Sequence, residues 1–105
     1  MADHDLIIIG GGPAGLTSGI YASRARLKTL LLEKMLPGGQ ILSSPLVENY
    51  PGLTEGIGGA KMIEEMVGQA ERFGTEIRIE TVVSVEDSGN KGKTVKTDKG
   101  SYKAI

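Results

Sequence analysis

The fold is decided by the stretch Ile9-Gly10-Gly11-Gly12-Pro13-Ala14-Gly15-Leu16, which places a G-x-G-x-x-G array directly after an apolar run. In such an array the first glycine permits a tight turn, the second lets phosphates approach the backbone, and the third lets helix and strand pack closely. The N–H groups and positive dipole end of the following helix favour an anion without any basic side chain. The stretch therefore predicts a pyrophosphate-binding turn made by Gly10, Gly11, Gly12, Pro13, Ala14 and Gly15.

The flanking sequence supplies the structural context that this motif requires. Residues 5–9 and 28–33 read as buried strands and residues 13–25 as the helix between them, which together form one β-α-β unit. Glu33 ends the second strand 18 residues after Gly15, where a carboxylate can accept hydrogen bonds from the ribose hydroxyls of an adenosine. The same carboxylate would repel a 2′-phosphate, so FAD or NAD fits better than NADP. A glycine turn without function is the alternative, and the register of strand, helix and acid argues against it.

The rest of the chain predicts a loop, a second helix and further strands. Residues 34–58 contain three prolines and five glycines among many apolar side chains, which is typical of an ordered loop that covers a ligand. An amphipathic helix over residues 59–73 ends at Gly74, and a third strand covers residues 76–80. Turn sequences then separate three short strands at residues 82–86, 93–97 and 101–105, which form a β-meander. The fold class is α/β, with a Rossmann-like parallel sheet followed by the meander.

Composition narrows the function classes. The 105 residues carry a net charge of −1 with scattered basic residues, so neither a nucleic-acid footprint nor a membrane-binding patch is expected. The absence of cysteine excludes disulfide and thiol chemistry within these residues, and the single histidine, His4, is expected in a frayed terminus that offers no metal site. An acidic start without a long apolar run predicts a cytoplasmic protein.

Several short elements together resemble the amino-terminal FAD-binding region of the low-molecular-weight thioredoxin reductases. They are Gly10 to Gly15, Tyr21-Ala22-Ser23-Arg24-Ala25, Gly38-Gly39-Gln40, Val47-Glu48-Asn49-Tyr50-Pro51-Gly52 and Phe73-Gly74-Thr75-Glu76-Ile77. The resemblance covers the whole chain, and the two elements in the long loop are its most specific part.

The resemblance implies a set of FAD contacts. The backbone of residues 11–14 would meet the pyrophosphate, and Glu33 would sit at the adenosine ribose. The backbone of Val82 would lie at the adenine. Residues 34–41 would border the nucleotide, with side-chain amides of Gln40 and Asn49 in contact with FAD; the alternatives are a loop amide facing water for Gln40 and a turn residue for Asn49. The resemblance thus implies five cofactor-binding residues after Glu33 and within the long loop: Lys34, Gly39, Gln40, Ile41 and Asn49.

The enzyme implied by the resemblance passes electrons from NADPH to FAD, then to a dithiol pair, and finally to the disulfide of thioredoxin. The dithiol pair, the NADPH-binding domain and a carboxy-terminal FAD segment would lie beyond Ile105, so residues 1–105 would be the first part of the FAD-binding domain and stop before its last strand. We therefore expect no catalytic residue here, no activity of the segment alone, and a homodimer when intact. Two alternatives stay open: a ferredoxin–NADP reductase of the same architecture without the dithiol, or a non-catalytic nucleotide-binding module.

Overall fold

The computed structural model describes residues 3–34 and 58–105, which form two α-helices, six strands and one 3-10 turn at Gly89–Lys91. Gly39, Gln40, Ile41 and Asn49 lie outside the described residues. In chain order the elements are β1 (Leu6–Ile9), α1 (Pro13–Arg24), β2 (Thr29–Glu33), α2 (Gly59–Arg72), β3 (Glu76–Ile79), β4 (Val82–Asp87), β5 (Lys93–Thr97) and β6 (Ser101–Ala104).

The first sheet is parallel and has the order β1-β2-β3, with β2 in the middle. Its central strand carries Leu30, Leu31 and Leu32, each at most 1% exposed. A continuous apolar run of this kind is typical of a parallel strand that is covered on both faces. The β-α-β unit predicted from the glycine motif is confirmed.

One face of this sheet is covered by both helices. Leu31 of β2 packs there with Leu16 and Ile20 of α1 and with Ile63 of α2. The second helix is thus amphipathic as predicted, and its apolar side is buried in this cluster. Neither helix in residues 3–34 and 58–105 has the length and hydropathy needed to span a membrane.

The other face is covered by an antiparallel sheet of the order β4-β5-β6, which is the predicted meander. Leu30 and Leu32 of β2 form a second apolar cluster with Val95 of β5, against which Val82 and Tyr102 pack. Successive residues of β2 thus face opposite layers, as the alternation of side chains along a strand requires. The structure is a helix layer, a parallel sheet and an antiparallel sheet.

The expectation of a frayed terminus at His4 is wrong. His4 is only 7% exposed and forms an isolated parallel bridge with Ala104, the last residue of β6. Its Nε2 atom lies 3.0 Å from Oε1 of Glu76, and its ring meets that of Tyr102 edge to face. Local sequence could not reveal this, because each partner lies about 70 or more residues away in the chain.

A layer of polar side chains joins β3 to the meander. Glu80, directly after β3, is 6% exposed, and its carboxylate accepts hydrogen bonds of 2.6 Å from both Thr97 and Tyr102. These bonds hold the pKa of Glu80 below its usual value. Hydrogen bonds from His4 and then Arg78 lower the pKa of Glu76 in the same way.

These lowered pKa values predict a stability that falls at acid pH. A carboxyl group whose pKa is lower in the folded than in the unfolded state stabilises the fold above its unfolded value, near 4.5, and loses that contribution as the pH falls. Glu80→Gln is expected to destabilise the protein by about 1–2 kcal/mol at pH 7 and to flatten the loss of stability below pH 5. Urea unfolding at pH 3.5 to 7 measures the free energy of unfolding of each variant. Glu64→Gln is the control, because Glu64 is an exposed residue of α2. If the stability of Glu80→Gln fell below pH 5 as steeply as that of the wild type, the role of Glu80 would be contradicted.

Candidate dinucleotide-binding site

The candidate site lies where the three parallel strands end. A cleft of about 240 Å³ opens there, beside the glycine turn that follows β1. Open α/β sheets bind their ligands at this edge, outside the carboxyl ends of the strands. The cleft is lined by Ile9, Gly10, Leu32, Glu33, Lys34, Glu80, Thr81 and Val82.

The three glycines of the motif stand in three different environments. Gly10 has a φ of +113°, a conformation that side chains rarely adopt, and it makes the turn out of β1. A Cβ at Gly15 would overlap the carbonyl oxygen of Gly10 and lie 3.5 Å from Ile8 of β1. Gly12 has φ −75° and ψ −176°, which any residue can adopt. The backbone therefore requires glycine at Gly10 and Gly15, whereas at Gly12 another reason is needed.

The amino end of α1 suits an anion. Gly12 is the N-cap residue and Pro13 occupies the first helical turn, so the proline lacks only an N–H that the helix would not use. Among the described residues, no side chain caps this end, and the first turn contains no acidic residue. Free N–H groups at a helix N-terminus bind phosphate oxygens well, because the helix dipole adds to their charge.

Glu33 connects the end of β2 to the glycine turn. Its Oε2 atom accepts a hydrogen bond of 2.5 Å from the Gly11 N–H, and Oε1 accepts one of 3.2 Å from the Lys34 N–H. A carboxylate can accept about four hydrogen bonds, so acceptor positions are left for ribose hydroxyls. The Gly11 N–H is used within the protein, which leaves the amides of Gly12 and Ala14 as donors for a pyrophosphate, since Pro13 has none.

The structure brings several of the predicted site residues together. Gly10, Glu33, Lys34 and Val82 line the same cleft, with Val82 as the first residue of β4. Their contacts with FAD stay predictions, as do those of Gly39, Gln40, Ile41 and Asn49.

Sequence reasoning missed two groups beside this cleft. Glu80, whose carboxylate is bonded to Thr97 and Tyr102, is one of its lining residues, and Thr81 is bonded to Asp98 from the β5–β6 turn. The only local signal was the Asp-Lys-Gly turn at residues 98–100, which predicted a hairpin but not where its side chain would reach.

The fold and the site together define a class of protein. A β-α-β unit with a glycine turn and an acid at the end of its second strand is the architecture of dinucleotide-binding α/β proteins. The family model for pyridine nucleotide-disulphide oxidoreductases matches residues 4–104. The chain belongs to this family.

Relatives within the family are thioredoxin reductases. The thioredoxin reductase of Mycolicibacterium smegmatis is 49% identical over 86 residues, which cover 82% of this chain and 28% of that protein. That of Bacillus subtilis strain 168 is 45% identical over 101 residues, covering 96% of this chain and 31% of that protein. The chain therefore spans about a third of the length of these relatives.

Solved structures show the same likeness. Thioredoxin reductase from Lactococcus lactis superposes with a TM-score of 0.90 at 37% identity, covering 97% of this chain and 33% of that one. The enzyme from Streptococcus pyogenes MGAS5005 gives a TM-score of 0.91 at 38% identity, with 96% and 32% covered. The predicted combination of a parallel sheet with a separate meander is thus confirmed as the fold of this group.

Proposed function

We propose that this chain binds FAD and holds its adenosine diphosphate half at the carboxyl ends of β1, β2 and β3. The observation that carries the proposal is the Glu33 carboxylate, held by the Gly11 N–H at the cleft beside the glycine turn. This arrangement sets a ribose acceptor next to a helix N-terminus suited to a pyrophosphate. The donor and acceptor types present therefore fit the adenosine diphosphate part of FAD.

We further propose that the chain is part of an NADPH-dependent thioredoxin reductase. In such an enzyme electrons would pass from NADPH to FAD and then through a dithiol to thioredoxin. FAD supplies the redox chemistry when bound. Within residues 3–34 and 58–105 we assign binding and orientation as the role, since these residues contain no cysteine that could serve as the dithiol. The 105 residues then act as the first part of an FAD-binding domain, inactive alone.

The named relatives support a thioredoxin reductase rather than the ferredoxin–NADP reductase alternative. Flavin-dependent oxidation of NADPH by the intact protein would exclude the alternative of a nucleotide-binding module without turnover. Thioredoxin as acceptor, a homodimer and a cytoplasmic location are part of this proposal and rest on the family and the sequence.

Flavin titration tests the proposed function. The wild type is expected to bind FAD, and Glu33→Ala to weaken binding by about 1.5–3 kcal/mol, or roughly 10- to 150-fold, because charge-assisted hydrogen bonds to the ribose are lost. Glu64→Ala, on the exposed side of α2, is the matched control and should bind as the wild type does. Quenching of flavin fluorescence reports the affinity. A wild type that binds no FAD, or a Glu33→Ala variant with unchanged affinity, would contradict the proposal.

A further inference from the structure

The backbone that carries Val82 is held from a neighbouring turn, and we propose that Asp98 is a positioning residue for the adenine end of the cofactor site. Oδ1 of Asp98 accepts a hydrogen bond of 2.9 Å from the Thr81 N–H, and the Asp98 N–H donates to the Thr81 carbonyl at 3.0 Å. Thr81 and Val82 line the cleft that also contains Glu33. The inference rests on the proposed function, because it concerns the same site.

The β5–β6 turn closes without the Asp98 side chain. The Thr97 N–H donates to the Gly100 carbonyl at 2.8 Å, and the Thr97 hydroxyl oxygen accepts from the N–H groups of Lys99 and Gly100 at 3.1 Å each. Aspartate in a turn commonly bonds the turn's own amides, but here threonine satisfies them. The Asp98 carboxylate is thus left to bond another segment, and the segment it bonds forms the wall of the cleft.

The same wall is fixed on its other side by Glu80. The Glu80 carboxylate accepts from the hydroxyls of Thr97 and Tyr102, so the residue before Thr81 is tied to β5 and β6. After Val82 the pairing of β4 with β5 is interrupted by a register shift between Val82 and Ser84. The strand ladder is therefore irregular directly after Val82, and before Val82 the Asp98 carboxylate adds a side-chain bond to the backbone bond between Asp98 and Thr81.

The backbone of Thr81 and Val82 can recognise a ligand only through the positions of its peptide groups. An adenine that meets the backbone near Val82 depends on where those peptide groups lie to within a fraction of an ångström. Loss of the side-chain bond from Asp98 to the Thr81 N–H should loosen this segment while leaving the backbone bond between the two residues, the glycine turn and Glu33 in place. The expected consequence is weaker binding of adenine nucleotides, FAD and ADP alike, by about three- to tenfold.

Three variants of the protein test the inference by titration with FAD and, separately, with ADP. Asp98→Ala removes the acceptor and should weaken both ligands by that factor. Asp98→Asn keeps an oxygen acceptor at the same place and should restore most of the affinity. Asp87→Ala is the matched control, because Asp87 accepts a hydrogen bond of 2.9 Å from Gly89 in the other turn of the same meander, outside the cleft lining. It should bind both ligands as the wild type does.

The outcomes separate this inference from the function on which it rests. Equal affinities of the wild type and Asp98→Ala would overturn the role of Asp98, as would an Asp98→Asn variant as weak as Asp98→Ala. A wild type that binds ADP but not FAD would contradict the proposed flavin, and the ADP series would still decide on Asp98. A wild type that binds neither contradicts both. Should Asp98→Ala not fold, Asp98→Ser, which keeps a turn-forming residue with a shorter side chain, is judged by the same criteria.

Discussion

Replacing Gly15 with alanine is expected to destabilise the protein by about 2–4 kcal/mol, although alanine normally stabilises a helix relative to glycine. The reason is local: a Cβ at Gly15 would overlap the carbonyl oxygen of Gly10 and lie 3.0 Å from its carbon. These are backbone atoms, so no side-chain rotation can relieve the contact, and the turn or the start of α1 must shift. Thermal unfolding followed by circular dichroism should show a midpoint lower by on the order of 15 °C.

Gly68→Ala is the matched control for this prediction. Gly68 lies within α2 and is exposed, and a Cβ there would have nothing within 4 Å. The same substitution should therefore stabilise the protein by about 0.5–1 kcal/mol, which is the ordinary helix preference for alanine. A Gly15→Ala variant as stable as Gly68→Ala would contradict the close approach of α1 to the turn.

The elements of the parallel sheet could be predicted because their signals are local. The glycine array sets the turn, the apolar run of Leu30 to Leu32 sets a strand buried on both faces, and Gly74 ends α2 where its apolar pattern stops. The meander could also be predicted, because two turn sequences separate its three strands. Each of these features depends on residues within one turn or one strand.

The polar layer between the sheets could not be predicted, for a physical reason. In β3 the alternation of Glu76, Ile77 and Arg78 shows that one face is polar, and a polar strand face normally meets solvent. Here the meander buries Glu80, the next residue of that alternation, and hydroxyl groups of Thr97 and Tyr102 satisfy its carboxylate, whereas Arg78 stays exposed. Which groups meet across this layer depends on how β5 and β6 dock, and nothing within β3 encodes that.

The same distinction applies to the candidate site. The residues of the motif and Glu33 could be predicted from spacing, and they come together at the end of the sheet. Asp98 could not, because its bond to Thr81 joins two segments that meet only once the meander has folded back. Sequence patterns thus identify the groups that face the ligand more readily than the groups that hold them in place.

Gly12→Val is expected to abolish FAD retention while leaving the fold intact. Gly12 has φ −75° and ψ −176°, so valine can adopt its backbone conformation, and the change at the N-cap should cost about 1 kcal/mol of stability at most. The loss of binding, at least about 100-fold, follows because the side chain would take the space through which a pyrophosphate approaches the amides of Gly12 and Ala14.

A graded series makes this last prediction decisive. Gly12→Ala should fall between the wild type and Gly12→Val in FAD affinity, since a single methyl group fills less of the same space. Flavin absorbance after gel filtration gives the bound fraction, and the unfolding midpoint of each variant shows whether the fold is kept. Stoichiometric flavin in Gly12→Val would mean that the phosphates approach elsewhere. Because Gly15→Ala acts on stability and Gly12→Val on binding, the two substitutions divide one glycine motif into a part that builds the turn and a part that receives the ligand.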